Sequence, residues 1–263
     1  MCSKPVTPLL FHRFTTLVVL GTCVLTGRAW ASKPAGRQAD GKAVEIAERV
    51  LEQMGGRESW NQTRYISWKF MGRRTHYWDK WTGNDRIESD NRVTLFNVHT
   101  RKGRVWEDGH EITEPSALAE ALDRAYGAWI NDTYWMFMPY KLLDPGVTLE
   151  YRGQGTMADG RDADILQLTF DKVGRTPDNR YFVYVARDTG LVEQWSYFRN
   201  ASDQEPGFTL PWAGWRRFGK IMLATGHGRD RDWQIGVYED LPPSTFTSPD
   251  PLHPRDTSPD ARQ

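Results

Sequence analysis

The feature that most restricts this chain is a run of short segments in which apolar and polar residues alternate, each closed by a tight turn. In Tyr65 to Arg73, Ile66, Trp68 and Phe70 alternate with Ser67 and Lys69, the period of a half-buried strand. His76 to Trp81, Arg86 to Ser89, Val93 to Thr100 and Arg104 to Glu107 follow. They are punctuated by Thr82-Gly83-Asn84-Asp85, Arg101-Lys102-Gly103 and Asp108-Gly109. The pattern resumes at Val147 to Arg152 and continues through Ala163 to Phe170, Tyr181 to Ala186, Leu191 to Arg199, Trp215 to Leu223 and Trp233 to Tyr238. Turns this short join antiparallel neighbours, because parallel crossovers need longer connections. The predicted class is mainly β with some α. About eleven strands in one sheet must curl or close, so a strongly curved, unclosed antiparallel β-barrel is expected, with helices filling its mouth.

One stretch breaks the strand pattern, a helical insert predicted over residues 116–144. Leu118, Leu122, Ala125 and Trp129 recur at helical spacing, and Ser116 is a candidate N-cap. Asn131, Asp132 and Thr133 interrupt that pattern and can cap a second, short turn carrying Tyr134, Trp135, Met136, Phe137 and Met138, which Pro139 stops. Large side chains around a whole helix circumference must be covered on every side. The insert is then either a core plug or a movable lid over an apolar cavity, with methionine as the adaptable surface. The candidate ligand-binding set is Trp68, Phe70, Trp129, Trp135, Met136, Phe137, Met138 and Tyr140. Space-filling in the core competes for each of them singly; together they favour a cavity for an acyl chain or similar ligand. Ahead of the strands, Ala43 to Met54 is a predicted amphipathic helix with Val44, Ala47, Leu51 and Met54 on one face and Gly55-Gly56 as its stop.

Residues 1–31 have the pattern of an export signal: basic Lys4 and Arg13, the apolar run Phe14 to Leu25, and Ala29-Trp30-Ala31 as a small-x-small cleavage site. A lipobox ending in Cys23 competes with it, although Thr22 stands where a smaller residue is usual. Cleavage after Ala31 removes both cysteines and leaves 31 basic and 34 acidic residues, a net charge of about −3. That balance argues against a nucleic-acid partner, which needs a concentrated basic patch. Localisation in the periplasm or envelope of a bacterium is expected, with residues 32–249 as one monomeric domain. The tail from 250 to 263 is rich in Pro, Ser, Asp and Arg and is predicted to be disordered.

The candidate chemical cluster is Glu107, Asp108, His110 and Glu111, with His76, Asp79 and His99 on neighbouring predicted strands. Imidazoles and carboxylates bind metals and move protons, but the spacing fits no metal motif and a hairpin tip solvates such residues. No nucleophile elbow, P-loop or dinucleotide fingerprint is present. The expectation is a non-enzymatic protein without cofactor or metal. His227 reads as a loop residue, and Arg229, Asp230, Arg231 and Asp232 as a solvated hairpin.

Several local patterns resemble the LolA-like periplasmic carriers of outer-membrane lipoproteins. They are His76-Tyr77-Trp78-Asp79-Lys80-Trp81 with Arg86-Ile87-Glu88 after the turn, and Thr100-Arg101-Lys102-Gly103-Arg104-Val105-Trp106. Two more are Val185 through Trp195 and the closing Ser244-Thr245-Phe246-Thr247-Ser248-Pro249. The resemblance implies an unclosed antiparallel barrel whose helices cover an apolar cavity for lipoprotein acyl chains, with lipid or an envelope protein as partner and peripheral membrane contact. The family's functional arginine follows the second strand; at that place this chain offers Lys80, with Arg86 further on, and the role passes to neither. An envelope enzyme acting on lipid or glycan, and a structural envelope protein whose barrel is filled by its own side chains, are the alternative functions.

Overall fold

Alternation along the chain places one set of strand side chains inward and the other outward, and the observed pairing follows it. The structure is a computed structural model that describes residues 40–228 and 233–252. The expected export signal, residues 229–232 and residues 253–263 lie outside the described residues. All described residues belong to one unit that begins at Gly36.

Fourteen strands form three sheets among the described residues, and every pairing is antiparallel. The first sheet contains β1 (Tyr65–Phe70), β2 (Arg74–Asp79), β3 (Asn84–Ser89), β4 (Arg92–Asn97), β5 (Gly103–Glu107) and β6 (His110–Glu111) in sequence order, with β14 (Gly236–Tyr238) beside β1. The second is β7 (Val147–Thr156), β8 (Asp162–Phe170), β9 (Arg180–Ala186), β10 (Val192–Phe198) and β11 (Phe208–Pro211), again a meander. The third is the hairpin β12 (Ala213–Phe218) and β13 (Ile221–Gly226). The open, curved, antiparallel architecture expected from the sequence is present, but as three sheets rather than one.

The segment read as a single strand from Trp215 to Leu223 is a hairpin. Phe218 pairs with Ile221, leaving Gly219-Lys220 as a two-residue turn, and Gly219 has a positive φ of 57°. Glycine first in such a turn is the type II′ signature. By contrast, Asp108-Gly109 turns as expected, with positive φ at both residues, which type I′ demands.

Helix α1 (Gly41–Gln53) buries Ala43, Ile46, Ala47, Val50 and Leu51; Val44 lies at the margin of that face. Gly55 ends it in the left-handed region, and the chain turns at once into a second helix, α2 (Gly56–Gln62), which the sequence reading lacks. Helix α3 (Pro115–Phe137) runs without interruption through Asn131, Asp132 and Thr133 and continues as a 3-10 turn, Met138–Lys141. Its N-cap is Glu114, whose carboxylate accepts from the amides of Ser116 and Ala117, rather than Ser116 itself.

The main core lies between the first two sheets, with α1 and the end of α3 packed into it. Trp68, Met136, Phe137, Met138 and Trp195 are all at most 1 % exposed there. Tyr140 anchors the 3-10 turn: its hydroxyl reaches the carbonyls of Met54 and Met222 at 2.8 and 3.0 Å, and its ring stacks on Trp60 at 4.2 Å. The outer face of the first sheet is covered by the closing segment, where Phe246 stacks on Tyr65.

Candidate functional site

Two features of α3 call for explanation, a buried ionic cluster on one face and an apolar cleft on another. The cluster explains why polar residues do not break the helix. Asp132 is fully buried, and both its oxygens take the Arg74 guanidinium, at 2.8 and 2.9 Å. One of those oxygens also lies 3.0 Å from Nε2 of His76. The other His76 ring nitrogen is 3.0 Å from Asp85 in β3. The imidazole lies flat on Trp68, its cross-strand partner, with centroids 4.4 Å apart. Thr133 returns its hydroxyl to the Trp129 carbonyl, so it too is satisfied within the helix.

Only an imidazolium donates from both ring nitrogens, so two flanking carboxylates fix His76 as a cation. Burial alone pulls its pKa down, but Asp85 and Asp132 outweigh burial and hold it at about 9. Burial raises Asp85 to about 6, partly offset by His76. Burial also acts against the ionised form of Asp132, yet the bonds from His76 and Arg74 prevail and keep it below the usual carboxylate range. With His76, Asp85 and Asp132 at most 1 % exposed, this cluster is a structural tie between sheet and helix.

A pH dependence follows. The folded protein keeps the His76 proton up to about pH 9, whereas an unfolded histidine releases it near 6.5. The stabilisation is therefore complete below about pH 6.5 and is lost as pH rises toward 9. Burial of Lys80, lowered to about 8, acts in the opposite sense, but only above that pH. The melting temperature is expected to fall between roughly pH 6.5 and 8. A flat or rising profile in that interval would contradict the imidazolium.

The cleft lies beside the second half of α3 and has a volume of about 310 Å³, near the lower end of ligand pockets. Trp129, Ile130, Tyr134 and Trp135 form the helix wall; Phe170 and Tyr181, at the facing ends of β8 and β9, form the sheet wall. The loop 171–176 crosses as a strap. Val173 rests against Gly146, where a Cβ would collide with it, and the Asp171 amide donates to the Gly146 carbonyl at 2.9 Å. Arg175 ties the strap to α3 through Asp123, at 3.1 Å from Nη1 to the carboxylate and 2.9 Å from Nη2 to the carbonyl. The Tyr134 hydroxyl and the Trp129 indole nitrogen belong to the helix wall but are buried away from the open space, without a hydrogen-bond partner among the described residues. Burial raises the Tyr134 phenol well above its ordinary pKa, so it stays a donor at neutral pH.

Of the eight residues proposed from sequence, Trp129 and Trp135 line this cleft. Trp68, Phe70, Met136, Phe137, Met138 and Tyr140 belong to the main core instead. Tyr134, Phe170, Tyr181 and Arg175 were absent from that set. The strand ends of Phe170 and Tyr181 were legible, but not their convergence on α3.

The other singled-out residues are dispersed. Asp79 pairs with Arg64 at 2.9 Å and Glu111 with Arg104 at 2.6 Å, while His99 and His110 are exposed. His227 is a loop residue as expected, just past β13, but not a solvated one: it is 1 % exposed and wedged between Trp212 and Trp233, and burial lowers its pKa to about 4. Lys80 donates to the carbonyls of Trp60 and Thr63. Arg86, fully buried, donates to Glu88 and to the carbonyls of Thr245, Ser248, Pro249 and Asp250, so the expected tail starts with an anchored residue. Among the described residues, no helix is long and apolar enough to cross a membrane.

No protein-family model and no curated protein matches this chain. Among solved structures it is similar to a DUF1329 family protein from Desulfovibrio piger, at 15% identity and a TM-score of 0.42 over 78% of this chain and 96% of that one. It is also similar to the MucA/MucB complex structure of Pseudomonas aeruginosa, at 18% identity and a TM-score of 0.25 over 77% of this chain and 68% of that one. Both scores are below 0.5, and these likenesses carry neither a family nor a function to this chain.

Proposed function

We propose that this chain is an exported, non-catalytic protein of the bacterial cell envelope that binds an apolar chain, as a lipid or an acylated partner, in the cleft beside α3. The observation that carries the reading is the cleft, an aromatic-walled space of about 310 Å³ beside the second half of α3. Ligand sites typically combine apolar walls with a few placed polar groups. The carrier role implied by the LolA-like resemblance agrees with such a cleft, and the export pattern of residues 1–31 agrees with an envelope location. The non-catalytic part rests on His76, whose ring nitrogens are both committed to buried carboxylates and so cannot reach a substrate.

The test is titration with an environment-sensitive fluorescent fatty acid. Saturable binding by the unmodified protein is expected, and Ile130→Trp, which fills the cleft from its helix wall, is expected to abolish it. Absence of saturable binding, or binding that survives the filled cleft, would reject the proposal.

A further inference from the structure

The size of the cleft and the pairing of its charges restrict the ligand further than its apolar walls do. Each charged residue of the lining has a counter-charge: Lys141 pairs with Asp144, and Arg175 with Asp123. Polar groups of the helix wall are occupied as well. Thr133 donates to the carbonyls of Trp129 and Ile130, and Asn131 donates to the Asp132 carboxylate. The surface left for a ligand is that of Trp129, Ile130, Trp135, Phe170 and Val173. The strap sets the width from both of its ends. At one end the Asp171 amide holds the Gly146 carbonyl and Val173 lies against Gly146; at the other Arg175 clasps Asp123 on α3. Spreading the cleft means breaking both ties. At about 30 Å³ for each water-sized group, a space of about 310 Å³ holds roughly ten carbons.

We infer that this cleft takes one hydrocarbon chain of about ten carbons, selecting its ligand by the number and length of chains and not by the charge of the head group. This rests on the binding function proposed above and narrows the ligand to single-chain amphiphiles. A second chain finds no room, because two chains of about sixteen carbons need roughly three times the space. An anionic head gains little, because both cations are already neutralised in part-exposed pairs that water screens.

The experiment is displacement of a neutral apolar fluorophore, N-phenyl-naphthylamine, by fatty acids of increasing length and by the alcohols of equal length, all kept below self-association. Affinity is expected to rise about fourfold with each added methylene, then to level off near about ten carbons. Acid and alcohol of one length are expected to bind about equally. A phosphatidylcholine with two medium chains is expected to bind no more tightly than its one-chain lyso form, which has the same head group. Phe170→Ala, which removes a ring from the sheet wall, is expected to move the break to longer chains. Phe170→Leu, closer in volume, moves it less and serves if the alanine variant does not fold. A gain that runs on unbroken to about sixteen carbons, or tighter binding of the two-chain lipid, overturns the inference while leaving cleft binding intact. A break that neither variant moves overturns it too, because the break would then belong to the ligand series. An acid preference of about tenfold, the scale of one charge-assisted hydrogen bond, overturns the indifference to charge. If neither the fluorophore nor any ligand binds, the underlying function falls as well.

Discussion

Replacing Asp132 with alanine is expected to cost about 3–5 kcal/mol of folding stability, the range for breaking a buried ion pair. The size comes from what is left behind. Arg74 loses both of its carboxylate bonds, and His76 loses one of the two acceptors that make it an imidazolium. Exposure does not rescue the histidine, which is fully buried. Asp132→Asn keeps the shape but removes the charge, so it is expected to destabilise less and to flatten the melting profile between about pH 6.5 and 8. Chemical denaturation of both variants checks this. A loss under about 1 kcal/mol for the alanine variant, the size of an exposed pair, would mean that the cluster is not ionised as drawn.

Phe137→Ala is expected to cost a similar amount, about 3–5 kcal/mol, from lost transfer energy and the cavity left behind. Phe137 is 1 % exposed and packs against Trp68, Trp78 and Trp60, with centroids 5.1, 6.0 and 5.4 Å away. Three rigid rings cannot collapse into the void without moving the sheet, so relaxation recovers little. Trp135→Ala is the informative contrast. Its side chain is half-buried and lines the cleft, so a smaller stability loss and a clear loss of probe affinity are expected together. Equal destabilisation by both variants would place Trp135 in the rigid core. A small loss for Phe137→Ala would return the end of α3 to the role of a movable lid.

Met136, Phe137 and Met138 show how far local reading reaches. Consecutive large apolar residues demand cover on every side, and that demand is met. Whether ligand or protein supplies the cover depends on how closely the two sheets approach, which no local pattern encodes. In this structure Trp68, Trp78 and Trp195 arrive from other strands and supply it around these residues and Trp135. The unfilled space appears half a turn to two turns earlier along α3, at Tyr134, Ile130 and Trp129.

The antiparallel strands are written in local order alone, because a period of two and tight turns are properties of neighbouring residues; the sequence specifies them before any packing is known. It also determined the amphipathic first helix and the Asp108-Gly109 turn. It misplaced the break in α3 for a physical reason. Asn, Asp and Thr are weak helix formers in isolation because their side chains compete for backbone bonds. Asp132 is instead held by Arg74 and His76, 58 and 56 residues away, and that tertiary pairing overrides local propensity. The same holds for the division into three sheets and for the cleft. Trp129 and Tyr181 lie far apart along the chain and share one wall-to-wall space only because β9 and α3 pack against a common core. Periodicity specifies which face of an element is buried; only the packed chain decides what that face meets.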